Sequence, residues 1–304
     1  LGAAAIDLAE EDEDIVAITA AMPDGTGLAD FSERFPERFH DVGICEQHAI
    51  GLSNGLAEAG KRPLVAIYST FLQRAYDQLF HDLALQGAPV TVCVDRAGLV
   101  GNDGPTHHGL YDIAYMRTLP EFVLMAPRDE AELRAMLDLS LEIDGPSAIR
   151  YPRESVPGHD DRPEPDLEVG RAEVVREGAD AAIIAYGALV ERAIEAADIL
   201  QAEHGIETEV VNARFARPLD EKTICRAVSD HDSVVVAEDH CRSGGFGSAV
   251  LELLVDEGID TSGVELAGVP PEKVEQADRD TQLAWCKLDA KGLAERLARV
   301  PAPA

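Results

Sequence analysis

Lysine is scarce in this chain. Only five of its 304 residues are lysine, so the 26 basic side chains are mostly arginine, and 57 acidic residues outweigh them to a formal net charge of −31. A field of that sign repels nucleic acid and anionic membrane surfaces, which excludes both as partners. No apolar run approaches the ~18 residues of a membrane-spanning helix. The opening residues, Leu1 to Asp7, lack the basic region of a signal peptide. Cys45, Cys93, Cys225, Cys241 and Cys286 are scattered without metal-ligand spacing, and their odd number argues against a disulfide framework. The expectation is a reduced, cytoplasmic protein. Its acidity fits a salty cytoplasm and ordinary solubility about equally. Against that field, any local gathering of arginine wants a reason.

What is present is alternation. Short unalternated apolar runs, as expected for parallel strands buried on both faces, fall at Ile15–Thr19, Phe39–Gly43, Leu64–Tyr68, Val90–Asp95, Phe122–Ala126 and Ser147–Arg150. Helical patterns lie between them, notably over Gln47–Ala59, Phe71–Gln86 and Glu130–Leu141. From Pro152 to about Leu167, prolines, a glycine and acidic residues interrupt the pattern. Beyond it strands are expected at Ala181–Tyr186, Glu209–Asn212, Ser233–Ala237 and Val264–Ala267. Helices are expected at Val190–His204, Leu219–Val228, Phe246–Glu257 and Leu293–Val300. Strand–helix repetition implies right-handed crossovers and mostly parallel sheets. The reading is an α/β protein of two domains, 1–155 and 169–304, joined by a linker over 156–168.

In such sheets ligands gather at the carboxyl ends of strands. The run Phe39 to Ile44 would deliver Glu46 to a helix start. A glutamate at the end of a buried strand is partly desolvated, which favours its neutral form and suits it to proton transfer. The plainer role is a welcome negative charge in the first helical turn. After Leu64–Tyr68, the rings of Tyr68 and Phe71 offer faces to a flat heterocycle, or simply fill core. Arg74 follows one turn on, with a surface salt bridge to Asp77 or Asp82 as its plainer role. After Val90–Asp95 come Arg96 and the glycine-rich Gly101–Gly109, which holds Asp103, His107 and His108. Adjacent histidines in a polar loop can donate to an anion or exchange protons, or serve as hydrogen-bonded structure. Arg150 and Arg153 follow Ser147–Ile149. Arg74, Arg96 and one of Arg150 or Arg153 could converge on an anionic small substrate.

In order, Glu46-Gln-His, Tyr68-Ser-Thr-Phe-Leu-Gln-Arg-Ala-Tyr-Asp-Gln, Asp95-Arg-Ala-Gly, Asp103-Gly-Pro-Thr-His-His-Gly and Arg150-Tyr-Pro-Arg closely resemble the second and third domains of the 1-deoxy-D-xylulose-5-phosphate synthase family. That family lies in the transketolase superfamily of thiamine-diphosphate enzymes. The resemblance covers essentially the whole chain and is strongest between Pro23 and Arg153. It implies a pyrimidine-binding domain followed by a transketolase C-terminal-like domain. It also implies pyruvate and glyceraldehyde 3-phosphate as substrates, with thiamine diphosphate and Mg as cofactors.

By resemblance, Glu46 hydrogen-bonds N1′ of the cofactor's aminopyrimidine and sets its tautomer. Phe71 stacks on that ring, and Ile44 and Tyr68 line the same pocket. Arg74, His107, Asp103 and Tyr68 surround the reacting centre, while Arg96 and Arg153 hold the acceptor's phosphate. A homodimer packed through both domains is implied, with the Gly244-Gly-Phe-Gly helix start permitting close approach there. One departure stands out. The Gly-Asp-Gly motif that binds metal and diphosphate in this superfamily is missing, as is the family's N-terminal domain that carries it. No residue of this chain is therefore expected to ligate metal. The expectation is a fragment, or one subunit of a split enzyme, inactive alone. Competing readings are the C-terminal subunit of a split transketolase, a 2-oxoacid dehydrogenase E1 β-like subunit, and a non-catalytic dimerising partner.

Overall fold

The computed structural model describes residues 1–154 and 165–298. Among the described residues twelve strands form two sheets: β1 (Ile15–Thr19), β2 (Phe39–Asp41), β3 (Arg62–Tyr68), β4 (Thr91–Asp95), β5 (Val123–Met125), β6 (Ser147–Arg150), β7 (Glu173–Arg176), β8 (Ala181–Ala185), β9 (Thr208–Asn212), β10 (Phe215–Arg217), β11 (Val234–Cys241) and β12 (Val264–Val269). The first sheet has the order β10-β5-β6-β4-β3-β1-β2 and the second β12-β11-β8-β9-β7. Every pairing is parallel except β10 with β5 and β7 with β9. The expected α/β class with mostly parallel sheets is therefore correct, and its physical basis is visible. β1, β4, β6, β8 and β9 are buried at every position, because helices cover both faces and leave no side of the pleat for water.

Four helices begin where an aspartate accepts the backbone N–H three residues on: Asp129 from Glu132, Asp220 from Thr223, Asp278 from Thr281 and Asp289 from Gly292. These caps correct two boundaries. The helix expected over Leu219–Val228 runs Glu221–Asp230, because Asp220 is its cap. The one expected over Leu293–Val300 runs Ala290–Leu297 behind Asp289, and Val300 lies outside the described residues. The linker expected over 156–168 falls largely outside them too.

Three further expectations change. The stretch Phe71–Gln86 is not one helix. It passes through α-helix Ser69–Leu72, a 3₁₀ turn Gln73–Ala75, helix Tyr76–Gln78 and a π-helical turn Leu79–Ala84. Changing pitch lets Leu72, Leu79 and Leu83 stay buried in the core while Phe71 and Arg74 remain only partly covered. The strand before Glu46 is an edge strand, half-exposed, so burial of Glu46 does not come from it. Finally, β10 belongs by sequence to the second domain and yet completes the first sheet, pairing Phe215 with Met125. Three residues cannot announce such a crossing by periodicity.

The glycine run 244–247 serves packing within the chain. A Cβ on Gly245 would lie 2.1 Å from Glu238 Oε2, and one on Gly244 would lie 3.2 Å from Ala114 Cβ. Gly244 thus permits a close approach between the two domains of the chain, and Gly245 one within the second.

Candidate active site

Glu46 opens helix Glu46–Glu58 and is 2 % exposed. Its Oε1 accepts from Arg74 Nη1 at 2.6 Å. Arg74 is thus paired with Glu46, and neither Asp77 nor Asp82 takes it as the sequence had suggested. Oε2 receives no hydrogen bond from the described residues. The Arg74 guanidinium also lies 5.2 Å from the centre of the Phe71 ring. Phe71 stacks on Tyr68 with centroids 5.5 Å apart and planes 11° from parallel, and presents its other neighbour, His107, edge-on at 5.6 Å. His107 Nδ1 is engaged by the Thr106 hydroxyl at 2.9 Å.

On the far side of Tyr68 the guanidinium of Arg96 sits 4.1 Å from the ring centre. Arg96 pairs with Asp95 at 3.0 Å and donates to the carbonyl of Gly25. Burial pushes the Asp95 carboxyl up even against that arginine. Burial likewise raises the Tyr68 hydroxyl, keeping it protonated and able to donate. Gly25 is required where it stands, because a Cβ there would lie 2.0 Å from the Tyr68 oxygen. Nε of Arg96 is buried without a partner among the described residues. Arg96 and Arg153 line one cavity of about 340 Å³, together with Arg128 and Gly25. Arg153 holds Asp103 through both carboxylate oxygens, at 2.7 and 2.8 Å.

The expected residues therefore fall into two joined groups, Glu46–Arg74–Phe71–His107 and Tyr68–Arg96–Arg153–Asp103. Two expected members stand apart. Ile44 is 81 % exposed, outside the ring stack. Arg150 turns away into the domain junction, where it pairs with fully buried Asp112 at 2.7 Å. His108 is structural. Its Nδ1 accepts from the Val100 N–H and its Nε2 donates to the Val274 carbonyl, both at 3.3 Å, and burial lowers its pKa.

Sequence reasoning missed the polar junction beneath the loop 96–110. Glu238, Asp239 and His240 are buried there. Glu238 accepts from the N–H groups of Phe246 and Gly247, yet burial pushes its carboxyl up to about 8. Burial also brings His240 down to about 4, so the ring is neutral, with Nδ1 donating to the Cys241 carbonyl and Nε2 accepting from Ala114 N–H. The signal was available. Glu-Asp-His follows directly on the apolar run 233–237, at a strand end. Among the described residues no group of His, Cys, Asp or Glu could hold a metal ion, and no helix is long and apolar enough to cross a membrane.

Parallel strands that carry a buried carboxylate, a ring stack and arginines at their carboxyl ends, with a second α/β domain docked on that edge, define a two-domain protein of the strand-end ligand-binding class. The chain belongs to the transketolase family: residues 1–158 match the transketolase pyrimidine-binding domain and residues 170–293 the transketolase C-terminal domain. It is 53 % identical over 288 residues to 1-deoxy-D-xylulose-5-phosphate synthase 1 of Geobacter sulfurreducens, covering 94 % of this chain and 45 % of that protein. It is 54 % identical over 269 residues to the 1-deoxy-D-xylulose-5-phosphate synthase of Heliobacterium modesticaldum, covering 88 % of this chain and 41 % of that protein. The chain spans less than half the length of these curated relatives. A solved split-gene transketolase, an inactive β4 tetramer, superposes with a TM-score of 0.89 at 32 % identity over 98 % of this chain and 96 % of that one. A Pichia stipitis transketolase mutant, 18 % identical with a TM-score of 0.77, shares the fold.

Proposed function

We propose that this chain is the pyrimidine-binding and C-terminal part of a thiamine-diphosphate-dependent transferase. The assembled enzyme decarboxylates pyruvate and joins the two-carbon unit to glyceraldehyde 3-phosphate, giving 1-deoxy-D-xylulose 5-phosphate. The observation that carries the reading is the Glu46–Arg74 pair against the Phe71 ring. Arg74 occupies one oxygen of a buried carboxylate and leaves the other available to a ring nitrogen, while Phe71 offers an aromatic surface alongside.

Thiamine diphosphate, when bound, supplies the electron sink for decarboxylation. Glu46 would hold and return a proton at N1′ of its pyrimidine ring, with Phe71 and Tyr68 flanking that ring. His107, Asp103 and Tyr68 would donate and accept around the reacting carbonyl, and Arg74 would keep Glu46 oriented. Arg96 and Arg153 suit the acceptor's phosphate, since planar guanidinium groups pair with phosphate oxygens and the unpartnered Nε of Arg96 is an unspent donor. Concentrating arginine here offsets a −31 chain that would otherwise turn an anion away.

Magnesium and the diphosphate would be held by a diphosphate-binding domain or subunit outside the matched domains. On this reading the two domains are residues 1–155 and 169–304, with 156–168 the linker between them. A homodimer is proposed as well, with exposed Ile44, Tyr111 and Trp285 as apolar surface for it. Five unpaired cysteines suit a cytoplasmic setting. The identity to the synthases favours this activity over a split transketolase, which would take a different donor. Joint retention of Glu46, Arg74, Arg96, His107 and Arg153 argues against a non-catalytic partner.

Calorimetric titration of thiamine diphosphate with magnesium tests the reading. Binding should be weak to this chain and tight once the diphosphate-binding part is added, and the assembled protein should release carbon dioxide from pyruvate. Tight magnesium-dependent binding to this chain alone would overturn the half-site reading.

A further inference from the structure

An open α/β sheet ordinarily receives its ligand at the carboxyl edge. In the second domain that edge is occupied by a piece of the first. Strand β11 continues past its pairing with β8 as far as Cys241 and brings Asp239 beneath the loop that follows β4. Asp239 Oδ1 accepts from the Leu99 N–H at 3.0 Å, while its Oδ2 pairs with Arg279 at 2.6 Å. Arg279 Nε in turn donates to the Leu99 carbonyl at 3.0 Å. Gln282, fully buried, brackets Gly101: its Oε1 accepts from the N–H at 2.8 Å and its Nε2 donates to the carbonyl at 3.1 Å. Gln276 Nε2 donates to the Asn102 carbonyl at 2.6 Å.

These contacts go to main chain, so they fix backbone angles whatever the loop side chains are. The loop needs that help. Gly98 and Gly101 are held at φ +83° and +67°, and a Cβ on Gly98 would lie 2.1 Å from Asp239 Oδ2. Immediately beyond the held segment come Asp103, bonded to Arg153, and His107, edge-on to Phe71.

We propose that Asp239, Arg279 and Gln282 are positioning residues, a clamp through which the second domain sets the backbone of 98–102 and so places Asp103 and His107. The effect on turnover rests on the roles proposed above for those two residues; the clamp itself does not. The plain alternative is glue between domains, which would loosen the whole junction when cut and not the loop in particular.

Hydrogen–deuterium exchange on the chain separates the two. Gln282→Leu removes both bonds to Gly101 and a third, from Nε2 to the Glu275 carbonyl at 3.0 Å, whereas Gln282→Glu keeps an acceptor for the Gly101 N–H and loses the donor to the two carbonyls. The Leu variant should exchange the 99–104 amides at least about tenfold faster, since both buried hydrogen bonds to Gly101 are lost. Amides of β4 and β11 should stay at wild-type rates, and the Glu variant should recover part of the protection, at the Gly101 amide whose acceptor it restores. Unchanged exchange over 99–104, or equal acceleration along β11, would overturn the clamp. Should the Leu variant fail to fold, Asp239→Asn asks the same question by weakening Arg279 while keeping the Leu99 acceptor. In the assembled enzyme, the Leu variant should lower kcat with the KM for thiamine diphosphate unchanged. Faster loop exchange with unchanged kcat would support the clamp and remove Asp103 and His107 from their proposed roles.

Discussion

Arg74 reaches back 28 residues to hold one oxygen of Glu46 at 2.6 Å, and half of that arginine side chain stays in contact with water. A buried carboxylate is oriented by a cation that is itself reachable, so its geometry is set before any ligand arrives.

Glu46→Gln should leave thiamine diphosphate binding largely intact in the assembled enzyme and lower turnover at least about 100-fold, since glutamine keeps a hydrogen bond but cannot share a proton. Hydrogen–deuterium exchange at C2 of the bound cofactor is the direct measurement. An unchanged rate would remove Glu46 from the role.

Arg96→Ala and Arg153→Ala should each raise the KM for the phosphorylated aldehyde by roughly 10- to 150-fold, and that for pyruvate much less. Their stability costs should differ. Arg96 is mostly buried, and its loss strands Asp95, so about 3 kcal/mol or more is expected. Arg153 is 53 % exposed, and losing its pair with Asp103 should cost under about 1 kcal/mol. Urea midpoints read the contrast, and equal costs would contradict it.

At the domain junction, burial alone would raise Asp112, but Arg150 holds its carboxyl below the usual range. Arg150→Met leaves that charge buried and unpaired, and should destabilise by about 3–5 kcal/mol. Adding Asp112→Leu should recover most of the loss. A double variant no more stable than the single would mean that packing, not the stranded charge, sets the cost.

Glu238 binds its proton more tightly folded, at about 8, than the ordinary 4.5. The stability this contributes is fully present below pH 4.5 and is lost as pH rises through 8. Glu238→Gln should therefore flatten the alkaline limb, with a relative gain at pH 9 on the order of a few kcal/mol. Parallel pH profiles of the melting midpoint for wild type and variant would contradict the assignment. Groups facing Glu238 include Arg150, Arg117 and Tyr186, so the comparison should be made at constant ionic strength.

Much of this was legible beforehand, and the failures share a cause. β1 and β6 fall where the sequence places them, because an apolar run buried on both faces leaves little choice of boundary. Tyr68, Phe71 and Arg96 were findable because they sit at strand ends. The pairing of Arg74 with Glu46 was not legible, since Glu46 lies on another element and local spacing offers only neighbours such as Asp77 and Asp82. Arg150 looked like Arg153 for the same reason: three residues apart, one faces the domain junction and the other the cavity. Glu238, Asp239 and His240 also sit at a strand end, but Asp239 and His240 meet Leu99 and Ala114 of the first domain, a docking that no local pattern shows. β10 was invisible in principle. A three-residue strand carries no period, and its partner is set by tertiary placement.

That short strand has a consequence for any attempt to treat the halves as modules. Because residues 215–217 close the edge of a sheet built from residues 15–150, the covalent boundary between the halves and the physical boundary do not coincide. Producing the first half alone, ended within residues 155–164, would strip β5 of its neighbour and leave a row of unpaired backbone groups open to another molecule. The second half alone would leave Phe215, fully buried against that sheet, with nowhere to go. The two halves are separate in sequence family and inseparable in solvent, so recombining either with a foreign counterpart requires carrying residues 213–218 across with the first.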